Sequence, residues 1–380
     1  MVVGDVAAPA RRGRGLAGRP AAPRRPLPDA RRRGPDVGAR CGDRAPRSRP
    51  RHQPRARGGG KLTAAVRDRL ADLDRRLAAS ELAPSLRRDH GLAAHTTYRV
   101  GGPARLFVTV NDRAELETLA SIVADSSAAG EPTPVLVVGR GSNLLVADRG
   151  FDGLAVALGS GLATFEIDGT AVTASGGALL PVLARASADT GLTGFEWAVG
   201  VPGTAGGAVR MNAGGHGSDM SESLVEAVVV DLHHGGFTVL GVDELDLGYR
   251  TSSISTHQVV ASLKLQLRFG DRQAGRALLA EIVQWRRANQ PGGRNAGSVF
   301  TNPEPAAAGA LIESAGAKGL RIGSAEVSPK HANFIQSDEE GCAADIVEVM
   351  REVRRLVTEE HGVDLAVETH LVGFEPWELP

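Results

Sequence analysis

The segment GVPGTAGGAVRMNAGGHG, Gly200 to Gly217, constrains the fold of this chain more than any other stretch. It holds seven glycines, and Pro202, Arg210 and His216 are almost its only residues with much shape. Such a run buries little apolar surface and contributes little to stability. Apolar pieces flank it, GFEWAV before and LVEAVVV after, so it does not read as a free linker. Glycine at this density is expected where backbone turns left-handed or approaches a ligand closely. Within it, Val201-Pro202-Gly203-Thr204-Ala205-Gly206-Gly207 offers N–H groups followed by small residues able to start a helix. Donors so arranged suit a diphosphate.

The net charge of zero hides two opposed parts. Residues 1–60 hold sixteen of the 44 basic residues and four of the 44 acidic ones, so this tail is near +12 and the body near −12. The tail is rich in Arg, Pro, Gly and Ala, without an aromatic residue or a periodic apolar pattern. It buries too little to offset its ordering entropy and is expected to be disordered, with no role in catalysis. Counterion release would let it bind a polyanion, but no aromatics are interleaved for base stacking. It lacks the serine and amphipathic pattern of a transit peptide. Its GRGLAG fits a dinucleotide fingerprint by chance, because no strand precedes it and no helix follows. Cys41 and Cys342 are the only cysteines, so a structural disulfide or thiolate zinc site is not expected. No apolar run reaches membrane-spanning length, and a soluble cytoplasmic protein is expected, without nucleic-acid or membrane partners.

The body alternates helix and strand patterns. Leu62, Val66, Leu70, Leu73 and Leu77 share one face of a helix over 61–79. ARLFVTV (104–110) and PVLVVG (134–139) read as strands around a helix over 113–126, and LAVAL (154–158) as another strand. ATFEIDGTAVTAS reads as a hairpin turning at Asp168-Gly169. A helix over 179–190 precedes the glycine-rich stretch, and strands over 224–232 and 259–269 follow it. A helix over 274–288 runs into Gln290-Pro291-Gly292-Gly293, taken as a boundary. Beyond it come a short helix near 308–315, a long helix over 343–360 striped by Ile346, Met350, Val353 and Val357, and a terminal strand DLAVETHLVGF. The class is α+β. The organisation expected is 1–60 as the extension, 61–270 in two subdomains (about 85–160 and 161–270), and 271–375.

A second glycine motif, VVGRGSNLL, ends a buried strand in Gly139-Arg140-Gly141-Ser142-Asn143. Successive amides in such a turn can form an anion-binding nest. Leu144 stands where a Rossmann fingerprint needs its third glycine. Two loops of phosphate type favour a dinucleotide over either loop alone. His216 and the pair His233-His234 have no partner at metal-ligand spacing, so they read as loop residues and no metal is expected.

Six motifs occur in order: HTTYRVGGPA, VVGRGSNLL, GFEWAVGVPGTAGGAVRMNAGGHG, LGYRTSSI, NAGSVFTNP and LIESAGAKGLRIGSAEVSPKHANFIQ. Together they resemble the UDP-N-acetylenolpyruvoylglucosamine reductase family over roughly residues 85–375. The resemblance implies an FAD-binding fold of the vanillyl-alcohol-oxidase (PCMH) type plus a C-terminal α+β substrate domain. It implies non-covalent FAD, NADPH as reductant, UDP-N-acetylglucosamine enolpyruvate as substrate, and the peptidoglycan precursor UDP-N-acetylmuramate as product. It makes Arg250, Ser298 and Glu368 catalytic, with Tyr249, Asn302 and Lys318 on the substrate side. FAD is expected against the glycine-rich loops, at Gly139, Arg140, Gly141, Ser142, Asn143, Leu144, Pro202, Gly203, Thr204, Gly206, Gly207 and Asn212. Arg140 stands where many members of the family carry a small or acidic residue.

Chemistry accounts for these residue types. Reducing an enol ether beside a carboxylate takes hydride at the β-carbon and a proton at the α-carbon. Hydride addition leaves an enolate-like dianion, which a guanidinium would stabilise. A desolvated, protonated Glu368 would donate a hydrogen bond to the same charge. A hydroxyl such as Ser298 is a weak acid, but a carbanion is basic enough to take its proton. From the residues alone, Glu368 sits with Asp364 and His370 on the polar side of its strand, and Arg250 and Ser298 do not stand out. Another flavin oxidoreductase of the same fold, or a non-catalytic nucleotide-sugar or polyanion binder, are the competing readings.

Overall fold

A computed structural model describes residues 64–127 and 132–380. The expectations for residues 1–60, including Cys41 and the GRGLAG match, lie outside the described residues, as does Leu62. Three sheets carry the architecture.

The first sheet has the order Arg87–Gly91, Pro103–Val110, Phe151–Leu158, Val135–Val138. Its last three strands run parallel, and the helix Arg113–Ser127 forms the crossover. The helix Ala64–Ala78 lies beside that crossover helix. Leu70, Leu73, Leu77, Leu116, Leu119 and Val123 from the two helices cover Leu106, Val108 and Val156 of the sheet. Each large aliphatic side chain so buried contributes about 1.5–3 kcal/mol before its ordering cost. The opposite face packs Phe107, Leu136, Val138 and Ala155 against Leu92, Leu144 and Val146.

The second sheet is antiparallel, in the order Phe237–Gly241, Leu224–Asp231, Gln258–Gln266, Ala171–Ser175, Phe165–Asp168. The hairpin expected at Asp168-Gly169 forms, with Gly169 left-handed at φ +58°. The strand expected over 259–269 is two strands. Gln258–Gln266 stays in the sheet, while Arg268–Phe269 turns away to pair with Leu192–Thr193. Val230, Leu232, Val259 and Ala261 pack into the helical core of the first sheet, so the two sheets share a cluster.

Beyond the helix Arg272–Asn289, a small antiparallel sheet (Arg321–Ile322, Ala325–Val327, Ile335–Ser337) packs on the helices Ala308–Ser314 and Ala343–His361. The long helix buries Ile346, Val347, Met350, Val353 and Val357 and stops at Gly362, left-handed at φ +67°. Asp148 of the first sheet's region caps its start, accepting the N–H of Ala343 at 2.8 Å and of Ala344 at 3.0 Å. The terminal strand is shorter than expected. His370–Val372 forms the strand, running parallel to Leu144–Val146 directly after the first glycine turn, and Val367 makes a single bridge to Phe300. The chain end thus returns to that turn.

His216, His233 and His234 lie in turns, as expected, but His234 gains a neighbour from elsewhere in the chain. Asp231, His234 and His257 bring one ligand atom each to within 4.8 Å of one another. His257 is remote in sequence and arrives because Asp231 pairs with Gln258 across the sheet.

Candidate active site

The turn Gly139–Asn143 leaves the strand Val135–Val138. Gly141 is left-handed at φ +57°, and a Cβ there would lie 2.2 Å from the His95 carbonyl oxygen. Only glycine passes so close. Thr97 ties the same turn, its N–H and hydroxyl both donating to the Gly141 carbonyl at 3.2 Å. Among the described residues, no acceptor takes the amides of residues 140–143. Consecutive N–H groups without an internal partner make a concavity suited to an anion. Arg140 points into solvent beside it, whereas Leu144 turns into the core.

The second loop faces the first. A Cβ on Gly139 would lie 2.8 Å from Thr204 Oγ1, and one on Gly203 would lie 3.7 Å from Ser142 Oγ. The helix expected after the loop forms over Ala205–Arg210, capped by Thr204, whose Oγ1 accepts the Gly207 N–H at 3.3 Å. Its first amides are not free for a diphosphate as expected. Those of Ala205 and Gly206 donate to the carbonyls of Ala178 and Gly176, both at 2.8 Å. Gly206 is needed because the helix start presses on neighbouring backbone. A Cβ there would lie 3.1 Å from Gly176 O and 3.2 Å from Val260 O.

Asn212 is 3% exposed and spends its side chain inside the fold. Its Nδ2 donates to the Gly248 carbonyl at 3.0 Å, and its Oδ1 accepts the Ser221 N–H at 3.0 Å. This locks the glycine-rich stretch to the segment bearing Tyr249 and Arg250. Arg250 is left-handed at φ +58°, a strained conformation for a side-chain-bearing residue. Its guanidinium donates to the Gly214 carbonyl at 3.1 Å and lies over the Tyr249 ring. Its Nε is 3.2 Å from Glu368 Oε1.

Glu368 is not on a solvated face. Its side chain is 13% exposed, and burial pushes its carboxyl above the usual range, with the Arg250 charge opposing but not cancelling that effect. Alternation marked the polar side of the strand, but that side lines the interior here, while Asp364 is exposed and pairs with Arg354. The Glu368 N–H donates to the Val299 carbonyl at 2.8 Å, which sets it beside Ser298. Its carbonyl accepts from Asn143 Nδ2 at 3.1 Å. Ser298 is half-buried, and its hydroxyl engages no partner among the described residues. Gly297 stands next to Ser142, where a Cβ would lie 4.0 Å from the Ser142 carbonyl oxygen. Tyr249, 60% exposed, meets Asn302 Nδ2 through its hydroxyl at 3.5 Å. Lys318 is not drawn in, because its ammonium pairs with Glu313 at 2.8 Å.

Two residues at this junction escaped sequence reasoning. Arg210 and His370 are mostly buried, and burial pulls both below their usual pKa, with the Arg210 charge lowering His370 further. Among the described residues the Arg210 guanidinium has no acceptor. A desolvated cation without a counter-charge invites an anionic ligand. The signal was there in an arginine standing alone inside a glycine run.

The fold is of the vanillyl-alcohol-oxidase (PCMH) type, and residues 104–240 match the FAD binding domain family. The C-terminal unit narrows that class. Residues 289–372 match the family described as UDP-N-acetylenolpyruvoylglucosamine reductase, C-terminal domain. The chain is 41% identical over 297 residues to UDP-N-acetylenolpyruvoylglucosamine reductase 2 of Symbiobacterium thermophilum, covering 78% of this chain and 94% of that one. It is 40% identical over 285 residues to the reductase of Bacillus velezensis, covering 74% and 92%. Among solved structures it is similar to the MurB reductase of Thermus caldophilus, with TM-score 0.66, 34% identity, and coverage of 76% and 98%. The chain belongs to the UDP-N-acetylenolpyruvoylglucosamine reductase family.

Proposed function

We propose that the chain reduces UDP-N-acetylglucosamine enolpyruvate to UDP-N-acetylmuramate with NADPH, through FAD held where the two glycine loops face each other. The observation that carries the reading is the convergence of Glu368 on both Arg250 and the turn 139–143, with Ser298 alongside. The residues present fit FAD. Free amides at 140–143 suit its diphosphate, and Arg210 adds uncompensated positive charge nearby, while burial and the Arg210 charge keep the neighbouring His370 imidazole neutral. FAD, when bound, supplies the relay by which hydride from NADPH reaches the substrate β-carbon.

The side chains do the rest. Arg250, preset by its left-handed backbone and by the Gly214 carbonyl, faces the negative charge that develops on the substrate carboxylate. Glu368, biased by burial toward its neutral form, donates a hydrogen bond to the same group. The free Ser298 hydroxyl gives its proton to the α-carbon, completing addition of one hydride and one proton across the double bond. Tyr249 and Asn302 flank this centre and hold the sugar nucleotide, and Lys318 joins them only by leaving Glu313. Residues 61–270 serve as the FAD-binding region and 271–375 as the substrate domain, with the terminal strand returning to the centre. NADPH and nucleotide sugars are cytoplasmic reagents, so the reading puts the enzyme there, without a nucleic-acid or membrane partner.

The purified full chain should be yellow, bleach with NADPH, and recover its colour on adding UDP-N-acetylglucosamine enolpyruvate. A colourless protein, or one whose bleached form ignores that substrate, contradicts the reading.

A further inference from the structure

We propose that Asp231, His234 and His257 form a binding site for one zinc-class divalent cation, separate from the redox centre. Asp231 ends the strand Leu224–Asp231, and its Oδ1 accepts the N–H groups of His233 at 2.9 Å and His234 at 3.0 Å. That turn folds His234 back over the carboxylate, with Nδ1 3.2 Å from Oδ1. From the turn just before the strand Gln258–Gln266, His257 brings its Nε2 to 3.4 Å from Asp231 Oδ2. All three ligand atoms lie within 4.8 Å of one another.

These separations suit a metal. With zinc bonds of about 2.0–2.1 Å, neighbouring ligand atoms of a tetrahedron lie about 3.4 Å apart. The two carboxylate–imidazole distances, 3.2 Å to Oδ1 and 3.4 Å to Oδ2, are near that edge but end on different oxygens. A turn of the carboxylate is needed to bring one oxygen to both imidazoles. The remaining approach falls to His234, whose side chain is 80% exposed. The same exposure gives a cation from solvent a way in and leaves a position for water.

The ligands are also held from behind, which is what gives a site its affinity. His257 stacks on His233 with ring centroids 4.1 Å apart and an interplanar angle of 12°. His233 is itself anchored through Nε2 to the Thr133 carbonyl at 2.9 Å. Gln258 donates to Asp231 Oδ2 at 3.3 Å while its Oε1 accepts the Ser255 N–H at 2.9 Å. Two imidazoles and one carboxylate select a borderline transition cation over magnesium or calcium, which prefer oxygen alone.

The site has no part in hydride transfer. Thr133 precedes the strand Val135–Val138, and the glycine turn follows its other end. At about 3.3 Å per residue the two lie roughly 15–20 Å apart along the strand. A bound ion would instead clip the turn after Asp231 to the strand Gln258–Gln266 and, through His233, to the first sheet.

Equilibrium dialysis of the full flavin-loaded chain against micromolar zinc chloride, with bound zinc counted by atomic emission, tests this. The wild type should hold one zinc and unfold at higher temperature with it. His257→Ala should lose that zinc, and His234→Ala should bind it at least tenfold more weakly. His90→Ala, which breaks a different close histidine pair (His90 with His95), should bind like wild type. Circular dichroism and flavin content verify folding, and exposed His234 keeps the test valid should His257→Ala misfold. A wild type without zinc, or a folded His257→Ala or His234→Ala that binds as wild type does, overturns the proposal.

Discussion

The two glycine-rich loops use glycine for different ends. In Gly139–Asn143 it lets the turn pass under the His95 carbonyl and leaves the amides of 140–143 without an acceptor among the described residues. In Val201–Gly207 it lets a helix start lie against strand backbone, and the amides of Ala205, Gly206 and Gly207 are taken within the fold. A glycine count therefore does not locate an anion site. A count of unpaired donors does.

Several variants press on this difference. Gly141→Ala should have the largest effect. The left-handed backbone alone costs about 1–2 kcal/mol for an alanine, and the new Cβ would lie 2.2 Å from a carbonyl oxygen. Absorbance of the purified variant should show little flavin, and a fully loaded variant would place the cofactor elsewhere. Gly206→Ala meets two carbonyl oxygens at 3.1 and 3.2 Å, and should lose about 1–3 kcal/mol to overpacking. Denaturant unfolding measures that loss, and the folded fraction should keep its flavin. Loss of flavin at unchanged stability would mean that the second loop touches the cofactor through residue 206 itself.

Glu368→Gln gives a smaller effect with a definite sign. Burial raises the Glu368 carboxyl, so its contribution to stability is fully present below the ordinary value of about 4.3 and is lost as pH rises through the folded value. The variant should therefore unfold at higher temperature than wild type at neutral pH. That advantage should shrink in acid, and a difference independent of pH would refute the assignment. A chain beginning at Lys61 should show the least change, keeping its flavin, melting temperature and turnover. Loss of any of these would give the tail a role.

What the sequence revealed follows from period and length. The helices Ala64–Ala78 and Ala343–His361 announce themselves through apolar residues repeating over four or more turns. The edge strand Arg87–Gly91 does not, because RRDHG has no apolar alternation and is held by backbone pairing to Pro103–Val110. The strands of the small C-terminal sheet are two or three residues long, too short to show a period. Of the site, the glycine turns were readable as backbone features. Arg250, Ser298 and Glu368 came only from the family resemblance, since nothing local says that the polar side of the last strand is buried. Asn212 was expected on the FAD side, and nothing local shows that its side chain is spent inside the fold. Its role in locking the loop to Gly248 exists only in three dimensions.

Ser298→Ala, followed by stopped-flow absorbance of the bound flavin, separates the two half-reactions on which the assignment of roles rests. NADPH needs only to reach the flavin, so bleaching should proceed at a near-normal rate. Recovery of colour with UDP-N-acetylglucosamine enolpyruvate should slow by the ~10²-fold to 10⁴-fold typical of a lost general acid. Equal slowing of both halves would make Ser298 a residue that positions the flavin and would contradict its role as proton donor.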